Sequence, residues 1–334
     1  MSSRPILLTG GAGYIGSICA TELIAQGHEV TIVDNLSTGH RKSVPAGARF
    51  YECDIGDSAR LNEVISEHGC DAVFHFAARA LVSESMLDPG LYYRENVSKA
   101  LTMLDCVRQA GVRKFVFSST AATYGNPLQN PISEDHPQQP VNAYGASKLS
   151  FEHILHWYAH AYGFSAVVFR YFNAAGATST LGEWHDLETH AVPLLLQTAS
   201  GRRAQFDIYG TDYDTPDGSC VRDFVHVLDI AQAHLLALKK LEEPGFHAYN
   251  IGSSNPCSVS ELCRIVEEVT GSKLNVRHAP RRTGDPAILC ASARRLHDEL
   301  GWTPCHSDLH NIIETAWEWE QRQTALVGGK ATRT

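Results

Sequence analysis

Hydrophobic residues in the first half of the chain fall into short runs, and longer amphipathic stretches separate these runs. The runs are rich in β-branched residues and lack polar alternation, which is typical of strands buried on both faces of a sheet. The stretches between them repeat apolar residues at helical spacing. This pattern predicts strands at residues 6–8, 30–33, 49–51, 72–76, 114–118 and 166–169. It predicts helices at residues 14–26, 58–68, 92–110 and 143–162.

Strands and helices that alternate in this way form βαβ units, because parallel strands need a long crossover connection. We therefore predict an α/β protein with a Rossmann-type, doubly wound parallel sheet. After residue 173 the alternation of strand and helix patterns becomes less regular. This change predicts a smaller C-terminal α/β domain whose segments interleave with the first domain. Further helices are predicted at residues 192–199, 227–241, 259–270 and 308–321, followed by a frayed tail from Leu326.

Composition and charge exclude several classes of protein. The chain has 334 residues and a formal net charge of -9, without a long run of one sign. We expect no nucleic-acid partner, because such binding needs a clustered basic face. No apolar run approaches the ~20 residues that span a bilayer, and the N-terminus lacks a signal-peptide layout, so we expect a cytoplasmic protein without membrane association. The nine cysteines lack CxxC spacing and are expected to be reduced thiols.

Three glycines lie between the first predicted strand and the first predicted helix. Gly10, Gly13 and Gly16 give the spacing GxxGxxG, with Tyr14 and Ile15 at the start of the helix. Small residues allow a tight turn, close approach of the backbone to a pyrophosphate, and packing of helix on strand. The free N–H groups of the helix N-terminus then face the phosphates. In this context the glycines predict a dinucleotide site.

Acidic residues follow the next two predicted strands. Asp34 lies about 20 residues beyond the glycines, where a carboxylate accepts hydrogen bonds from a ribose hydroxyl. A carboxylate there repels a 2′-phosphate, so the cofactor is expected to be NAD rather than NADP. Asp54 could contact the adenine, or it could equally cap the helix that follows.

A tyrosine and a lysine four residues apart, Tyr144 and Lys148, share one face of a predicted helix. The pKa of a free tyrosine is about 10, too high for a base at neutral pH. We expect the Lys148 ammonium and the positive nicotinamide to lower the pKa of Tyr144. Thr120 ends the preceding strand and could bridge a substrate hydroxyl to Tyr144.

The GxxGxxG spacing, the strand-end Ser118-Ser119-Thr120 and the YxxxK pair together resemble the extended short-chain dehydrogenase/reductase family. More narrowly, the chain is similar to the UDP-glucose 4-epimerase family from the glycines up to Gly301-Trp302. The matching segments are residues 10–16, 34–36, 118–125, 144–148, 170–173, 221–227 and 279–285.

The resemblance implies a role for each matching residue. Tyr144 is implied to be the general base and acid, Lys148 to hold the nicotinamide ribose and lower the pKa of Tyr144, and Thr120 to be the hydroxyl partner. The implied NAD contacts are Gly10, Gly13, Tyr14, Ile15, Gly16, Asp34, Asn35, Asp54, Ile55, Phe76, Ala77, Asn96, Tyr144, Lys148 and Tyr171. The implied contacts to a UDP-sugar are Thr120, Tyr144, Phe172, Asn173, His190, Arg222, Arg282, Asp285 and Leu289.

The implied reaction is reversible epimerisation at C4 of UDP-galactose and UDP-glucose, through a 4-keto sugar and a tightly bound NAD. Residues 1–173 are expected to bind NAD, together with later segments such as 221–250, and residues 174–334 mainly to bind the UDP-sugar. A homodimer is also implied. Counted without a gap from Gly284-Asp285, Leu289 matches the position at which the family sets the size of its sugar pocket, where a Tyr is associated with plain hexoses and a small residue also with N-acetylated ones. The alternative is that Leu289 is an ordinary core residue.

One position departs from the family. Some members place a lysine that helps to bind NAD shortly after the Phe-Ala segment, and this chain has Ala80 there. Arg79 is adjacent but is expected to point elsewhere if the strand alternation continues through it. This departure puts one cofactor contact in question.

Other activities remain open at this stage. Related 4-epimerases act on UDP-N-acetylhexosamines or on UDP-xylose and UDP-arabinose, and a non-catalytic NAD-binding sensor would share the fold. A nucleotide-sugar dehydratase or decarboxylase is also conceivable, but a dehydratase needs acids where Ala121 and Ala122 follow Thr120.

One set of three histidines invites a metal-site interpretation but does not support it, and a fourth histidine lies in a predicted strand. His153, His156 and His160 lie on one predicted helix without the HExxH pattern, so a surface face is expected and no metal ligands are predicted. His75 lies inside an apolar strand, where we expect a core histidine with its hydrogen bonds satisfied.

Overall fold

The computed structural model describes residues 3–282 and 284–331. The strands are β1 (Pro5–Thr9), β2 (Glu29–Asp34), β3 (Arg49–Glu52), β4 (Ala72–His75), β5 (Lys114–Thr120), β6 (Ser165–Tyr171), β7 (Asn173–Ala175), β8 (Phe206–Tyr209), β9 (Val221–Arg222), β10 (Phe224–His226), β11 (Gly245–Ile251), β12 (Cys257–Ser258), β13 (Val276–Ala279) and β14 (Ile288–Leu289). The helices are α1 (Tyr14–Ala25), α2 (Ser58–His68), α3 (Val82–Leu87), α4 (Pro89–Tyr93), α5 (Ala100–Gln109), α6 (Ala143–Tyr162), α7 (Ala191–Ala199), α8 (Val227–Lys240), α9 (Val259–Thr270), α10 (Arg294–Leu300) and α11 (Leu309–Ala331).

A parallel sheet of seven strands forms the centre of the molecule, in the order β11-β6-β5-β4-β1-β2-β3. The chain leaves β1 toward β2 and β3 and then returns to β4 on the other side of β1. The direction of winding reverses between β1 and β4, and ligands of such sheets bind beyond the carboxyl ends of the strands at this point. The predicted α/β fold with a doubly wound parallel sheet is confirmed.

Successive residues of a buried strand face opposite sides of the sheet, and both sides carry a hydrophobic core. Leu8 packs in the core that includes Ala20 and Ile230 from α1 and α8. Leu7 packs in the core that includes Leu61 of α2. This burial on both faces explains why the strands read as continuous apolar runs.

A third core holds the C-terminal part of the chain together. Residues of α7, α9 and α11 pack there against β8. Small sheets made of β8 with β13 and of β12, β9 and β14 lie in this part. Within the described residues, no helix is both long and apolar enough to cross a membrane.

The short helices α3 and α10 and the short strands outside the central sheet were not predicted, and three further differences concern longer elements. The predicted helix at 92–110 is divided into α4, a π-helical turn at Arg94–Lys99, and α5. The seventh strand of the sheet, β11, was not predicted, because its Gly245–Ile251 segment mixes polar and aromatic residues. The predicted frayed tail from Leu326 is wrong as far as Ala331, where α11 ends, and residues 332–334 lie outside the described residues. No proline interrupts this segment, and each residue added to an existing helix needs no new nucleus.

Candidate active site

A cleft of about 1050 Å³ opens at the carboxyl ends of the central strands. All of the predicted site residues except Asn96 line this cleft, although they come from distant parts of the chain. The cleft thus brings together Gly10, Gly13, Tyr14, Ile15, Gly16, Asp34, Asn35, Asp54, Ile55, Phe76, Ala77, Thr120, Tyr144, Lys148, Tyr171, Phe172, Asn173, His190, Arg222, Arg282, Asp285 and Leu289.

The glycine turn is packed too tightly for side chains. Gly10 has a φ of +75°, and a Cβ there would lie 2.4 Å from the backbone nitrogen of Ala77. A Cβ on Gly16 would lie 2.3 Å from the carbonyl oxygen of Gly10. The turn therefore leaves bare backbone facing the cleft in front of the N-terminus of α1, which is the geometry that receives a pyrophosphate.

Asp34 fixes this turn from the end of β2. Its two carboxylate oxygens accept hydrogen bonds from the backbone N–H groups of Ala12, at 2.9 Å, and Leu36, at 2.8 Å. Burial raises the pKa of Asp34, while these two hydrogen bonds act in the opposite direction. The carboxylate borders the cleft, so a sugar hydroxyl fits beside it and a phosphate group does not.

Asp54 closes the adjacent part of the cleft wall. Its side chain accepts hydrogen bonds from Asn35 Nδ2 at 2.9 Å and from Lys99 Nζ at 2.8 Å. Burial acts to raise the pKa of Asp54, but the hydrogen bonds with Lys99, Gly56 and Asn35 lower it overall. The cap of α2 is Asp57, whose Oδ1 accepts from the N–H of Arg60. The alternative role of Asp54 as the cap of that helix is therefore excluded.

Helix α6 presents Tyr144 and Lys148 to the cleft from its first two turns. Asn142 caps this helix, since its Oδ1 accepts from the N–H of Gly145 at 2.8 Å. The side chain of Lys148 crosses to β5, where Nζ donates to the carbonyl oxygen of Ser118 at 2.8 Å. Burial lowers the pKa of Lys148 to about 7, although the charge of Glu152 acts to raise it.

The pKa of Tyr144 is raised by burial, and contact with Thr120 acts in the opposite direction. That Lys148 and the positive nicotinamide together lower this pKa stays a prediction, because one of the two expected contributions comes from the cofactor. The phenol and the Lys148 amine share a cleft from which much of the solvent is excluded. In such surroundings a nearby cation has a much larger effect on a phenolate than it has in water.

A buried ion pair lies one helical turn beyond Lys148. Glu152, one turn further along α6, receives Arg170 Nη2 at 2.7 Å, and both side chains are at most 5% exposed. Ser119 Oγ also donates to Glu152. Arg170 donates in addition to the hydroxyl of Tyr124 at 2.8 Å. This network ties α6 to β5 and β6 and so holds the tyrosine–lysine pair at the ends of those strands.

Charged side chains gather at the other end of the cleft. Arg222 Nη2 lies 4.0 Å from Asp285 Oδ1, and the Arg222 guanidinium is anchored by donating to the carbonyl oxygen of Pro286 at 2.9 Å. The Arg282 guanidinium stacks 3.7 Å from the ring centre of Tyr209. Two arginines with fixed planes suit a diphosphate, and a carboxylate suits a ribose diol. Tyr209 was not recognised from the sequence.

Two residues lie differently from their predicted places. Asn96 lies behind the cleft wall, 2% exposed, where its side chain bonds to the backbone of Arg79 and to Ser147 Oγ. It therefore positions this wall without lining it. Arg79 does line the cleft, contrary to expectation, because β4 ends at His75 and strand alternation stops there. Ala80, in the place of the family lysine, is an exposed part of the same wall.

The histidines weighed in the sequence have separate environments. His75 is buried with its Nδ1 2.6 Å from Thr9 Oγ1, as predicted for a core histidine with a satisfied hydrogen bond. His153, His156 and His160 are exposed on α6. Sequence reasoning missed a different cluster, formed by Glu183, His185, Glu188 and His190. Its ExHxxExH spacing matches no helical metal motif, and its segment has no regular secondary structure that could be predicted.

The fold and the cleft define a dinucleotide-binding enzyme with a tyrosine–lysine pair in its cleft. The chain belongs to the NAD dependent epimerase/dehydratase family, which residues 6–252 match. It is 51% identical to the UDP-glucose 4-epimerase of Corynebacterium glutamicum over 93% of this chain and 94% of that protein.

Solved structures agree with this assignment. The UDP-glucose 4-epimerase of Brucella ovis in complex with NAD superposes with a TM-score of 0.92 at 44% identity, covering 95% of this chain and 98% of that one. The enzyme of Stenotrophomonas maltophila, solved with bound NAD and formylated UDP-arabinopyranose, superposes with a TM-score of 0.94 at 36% identity. That match covers 97% of this chain and 99% of the other.

Proposed function

We propose that this protein interconverts UDP-galactose and UDP-glucose by inverting C4 of the sugar, with NAD as a retained cofactor. The observation that carries the proposal is one continuous cleft that holds a glycine cradle, the Tyr144–Lys148 pair and a cluster of arginines. Members of the same family with this activity match the chain over nearly its full length. The cradle and Asp34 fit NAD, because the glycine turn admits no Cβ and the carboxylate opposes a 2′-phosphate.

When bound, NAD would be held by the glycine turn and Asp34 and would supply the acceptor and the later donor of the C4 hydride. The protein groups move the matching proton. Tyr144, as phenolate, accepts the proton of the 4-hydroxyl and gives it back when C4 is reduced again. Thr120, beside it at the end of β5, holds the same hydroxyl by a hydrogen bond. Lys148 favours the phenolate and holds the cofactor ribose.

Inversion requires that the 4-keto sugar present both faces to the same cofactor. Arg222, Arg282 and Asp285 hold the UDP portion at the far end of the cleft, so the sugar can turn about its diphosphate link without leaving. The part of the wall near Tyr144 includes the small or apolar residues Ala121 and Phe172. A strong nucleotide anchor with a weaker grip on the sugar is what such a rotation needs.

Replacement of the proposed base tests this proposal. Tyr144→Phe keeps the ring but removes the hydroxyl, so kcat for UDP-galactose is expected to fall by about 10²–10⁴-fold. NAD released by acid from the purified variant should remain near one per chain. Tyr162→Phe, at the exposed end of the same helix, is the matched control and should keep full activity. Near-full turnover by Tyr144→Phe would contradict the proposal.

We also propose that the chain forms a homodimer, as the family resemblance implies. Large apolar side chains are exposed on three neighbouring helices: Leu87 on α3 (87%), Tyr93 on α4 (42%) and Trp157 on α6 (63%). A second copy of the chain would cover them. Light scattering of the purified protein should give twice the 36.6 kDa chain mass, and Trp157→Glu should weaken the association. A monomer at micromolar concentration would contradict this proposal.

A further inference from the structure

The segment before α7 gathers two carboxylates and two imidazoles around one point. Glu183, His185, Glu188 and His190 each offer a ligand atom, and these four atoms lie within 4.8 Å of one another. His190 Nδ1 lies 2.8 Å from Glu183 Oε1 and 2.9 Å from Glu188 Oε1. Both carboxylate side chains are at most 8% exposed, although nothing in an ordinary loop requires two buried acids to face each other.

One atom of this cluster has no partner. His185 Nδ1 is buried 3.3 Å from Glu183 Oε1 and 3.4 Å from Glu188 Oε2. It nevertheless makes no hydrogen bond of acceptable geometry to any described residue. An unpaired polar atom at a buried site is unfavourable, and its position between two carboxylates indicates a further group there.

Two buried carboxylates that face each other need a positive charge close by. A divalent cation would supply this charge. It would also accept the lone pair of His185 Nδ1, which faces both carboxylates.

The surrounding structure holds the four ligands in place. Trp319 Nε1 of α11 donates to the carbonyl oxygen of Glu183 at 2.9 Å. Trp184 stacks on the ring of His40 with 4.2 Å between centroids. Glu188 Oε1 accepts from the backbone N–H of His190 at 2.7 Å. Ligands on such a braced segment need little reorganisation to bind an ion.

We propose that Glu183, His185, Glu188 and His190 bind one divalent transition-metal ion of the zinc type. Two imidazole nitrogens and two carboxylate oxygens form a four-coordinate set that suits Zn²⁺. Glu183, His185 and His190 also line the active-site cleft, so the ion fixes the cleft wall at the start of α7. The ion is structural in this role, because its four protein ligands leave no open position.

Metal content tests the proposal independently of turnover. Purified protein, stripped with a chelator and dialysed against micromolar ZnCl₂ and then against metal-free buffer, should retain about one zinc per chain by inductively coupled plasma mass spectrometry. The double variant His185→Gln/Glu188→Gln should retain at least tenfold less. His160→Gln, which changes an exposed histidine of α6, should retain as much as the wild type.

The zinc content of the wild-type protein tests the proposed metal site even if the double variant folds poorly. Wild-type protein that retains less than about one tenth of an equivalent of zinc would overturn the proposal, and so would a folded double variant with wild-type zinc. X-ray absorption of the loaded protein should show only nitrogen and oxygen neighbours at about 2.0–2.2 Å. Loss of epimerase activity with zinc retained would count against the proposed function and not against this site.

Discussion

We expect the sugar range of the cleft to depend on the side chain of Leu289. It lies on β14 opposite Arg222 of β9, and it lines the cleft. Its side chain also packs beside Phe172 against Ala121 and Tyr124. If Arg222 anchors the nucleotide as proposed, the sugar would lie beside Leu289, and the volume of this side chain would limit the groups that the sugar can carry.

Leu289→Tyr is expected to narrow the substrate range. Leucine leaves more room than tyrosine, so the wild type should act well on UDP-glucose and UDP-galactose and more weakly on the UDP-N-acetylhexosamine pair. The added ring would occupy the space of the acetamido group and lower kcat/KM for that pair by about 10–200-fold relative to the plain hexoses. Steady-state kinetics on both pairs measure this ratio.

The control for this prediction is Leu128→Tyr, at a position 80% exposed. It should leave the ratio of kcat/KM values unchanged. An unchanged ratio in Leu289→Tyr as well would mean that Leu289 does not border the sugar.

Helix α6 carries both residues of the tyrosine–lysine pair. Tyr144, Lys148 and Glu152 follow one another at intervals of four residues and so share one face. The first two reach the cleft, and the third is paired with Arg170 of β6. The position of Tyr144, the proposed base, relative to the sheet therefore depends on a buried ion pair further along the same helix.

Glu152→Ala is expected to destabilise the fold strongly. It leaves the Arg170 guanidinium buried without its carboxylate, which costs about 3–5 kcal/mol of the free energy of unfolding. Urea denaturation followed by circular dichroism measures this change. Glu242→Ala is the matched control, since Glu242 pairs with Arg4 and Lys114 but is 51% exposed, and it should cost less than about 1 kcal/mol. Equal losses in both variants would contradict the structural role of the Glu152–Arg170 pair.

At the scale of the whole molecule, the sequence predicts the sheet and most of the cleft for one physical reason. Buried parallel strands, tight glycine turns and helix faces depend on local residue types, so β1 with Gly10–Gly16 and α6 with Tyr144 could be recognised. The place of Arg79 depends on where β4 ends, and β11 is identified as a strand by its pairing with the distant strand β6. The cluster around His185 depends on packing against α11, which local patterns do not reveal.

The central claim is that hydride leaves C4 and returns to the same carbon within one closed cleft. Purified protein is given UDP-[4-²H]galactose in ordinary water without added NAD, and the products are followed by NMR. The proposed function predicts UDP-glucose that keeps its deuterium at C4, because the hydride does not exchange with solvent. Loss of the deuterium to water, or conversion only when external NAD is supplied in excess, would contradict it.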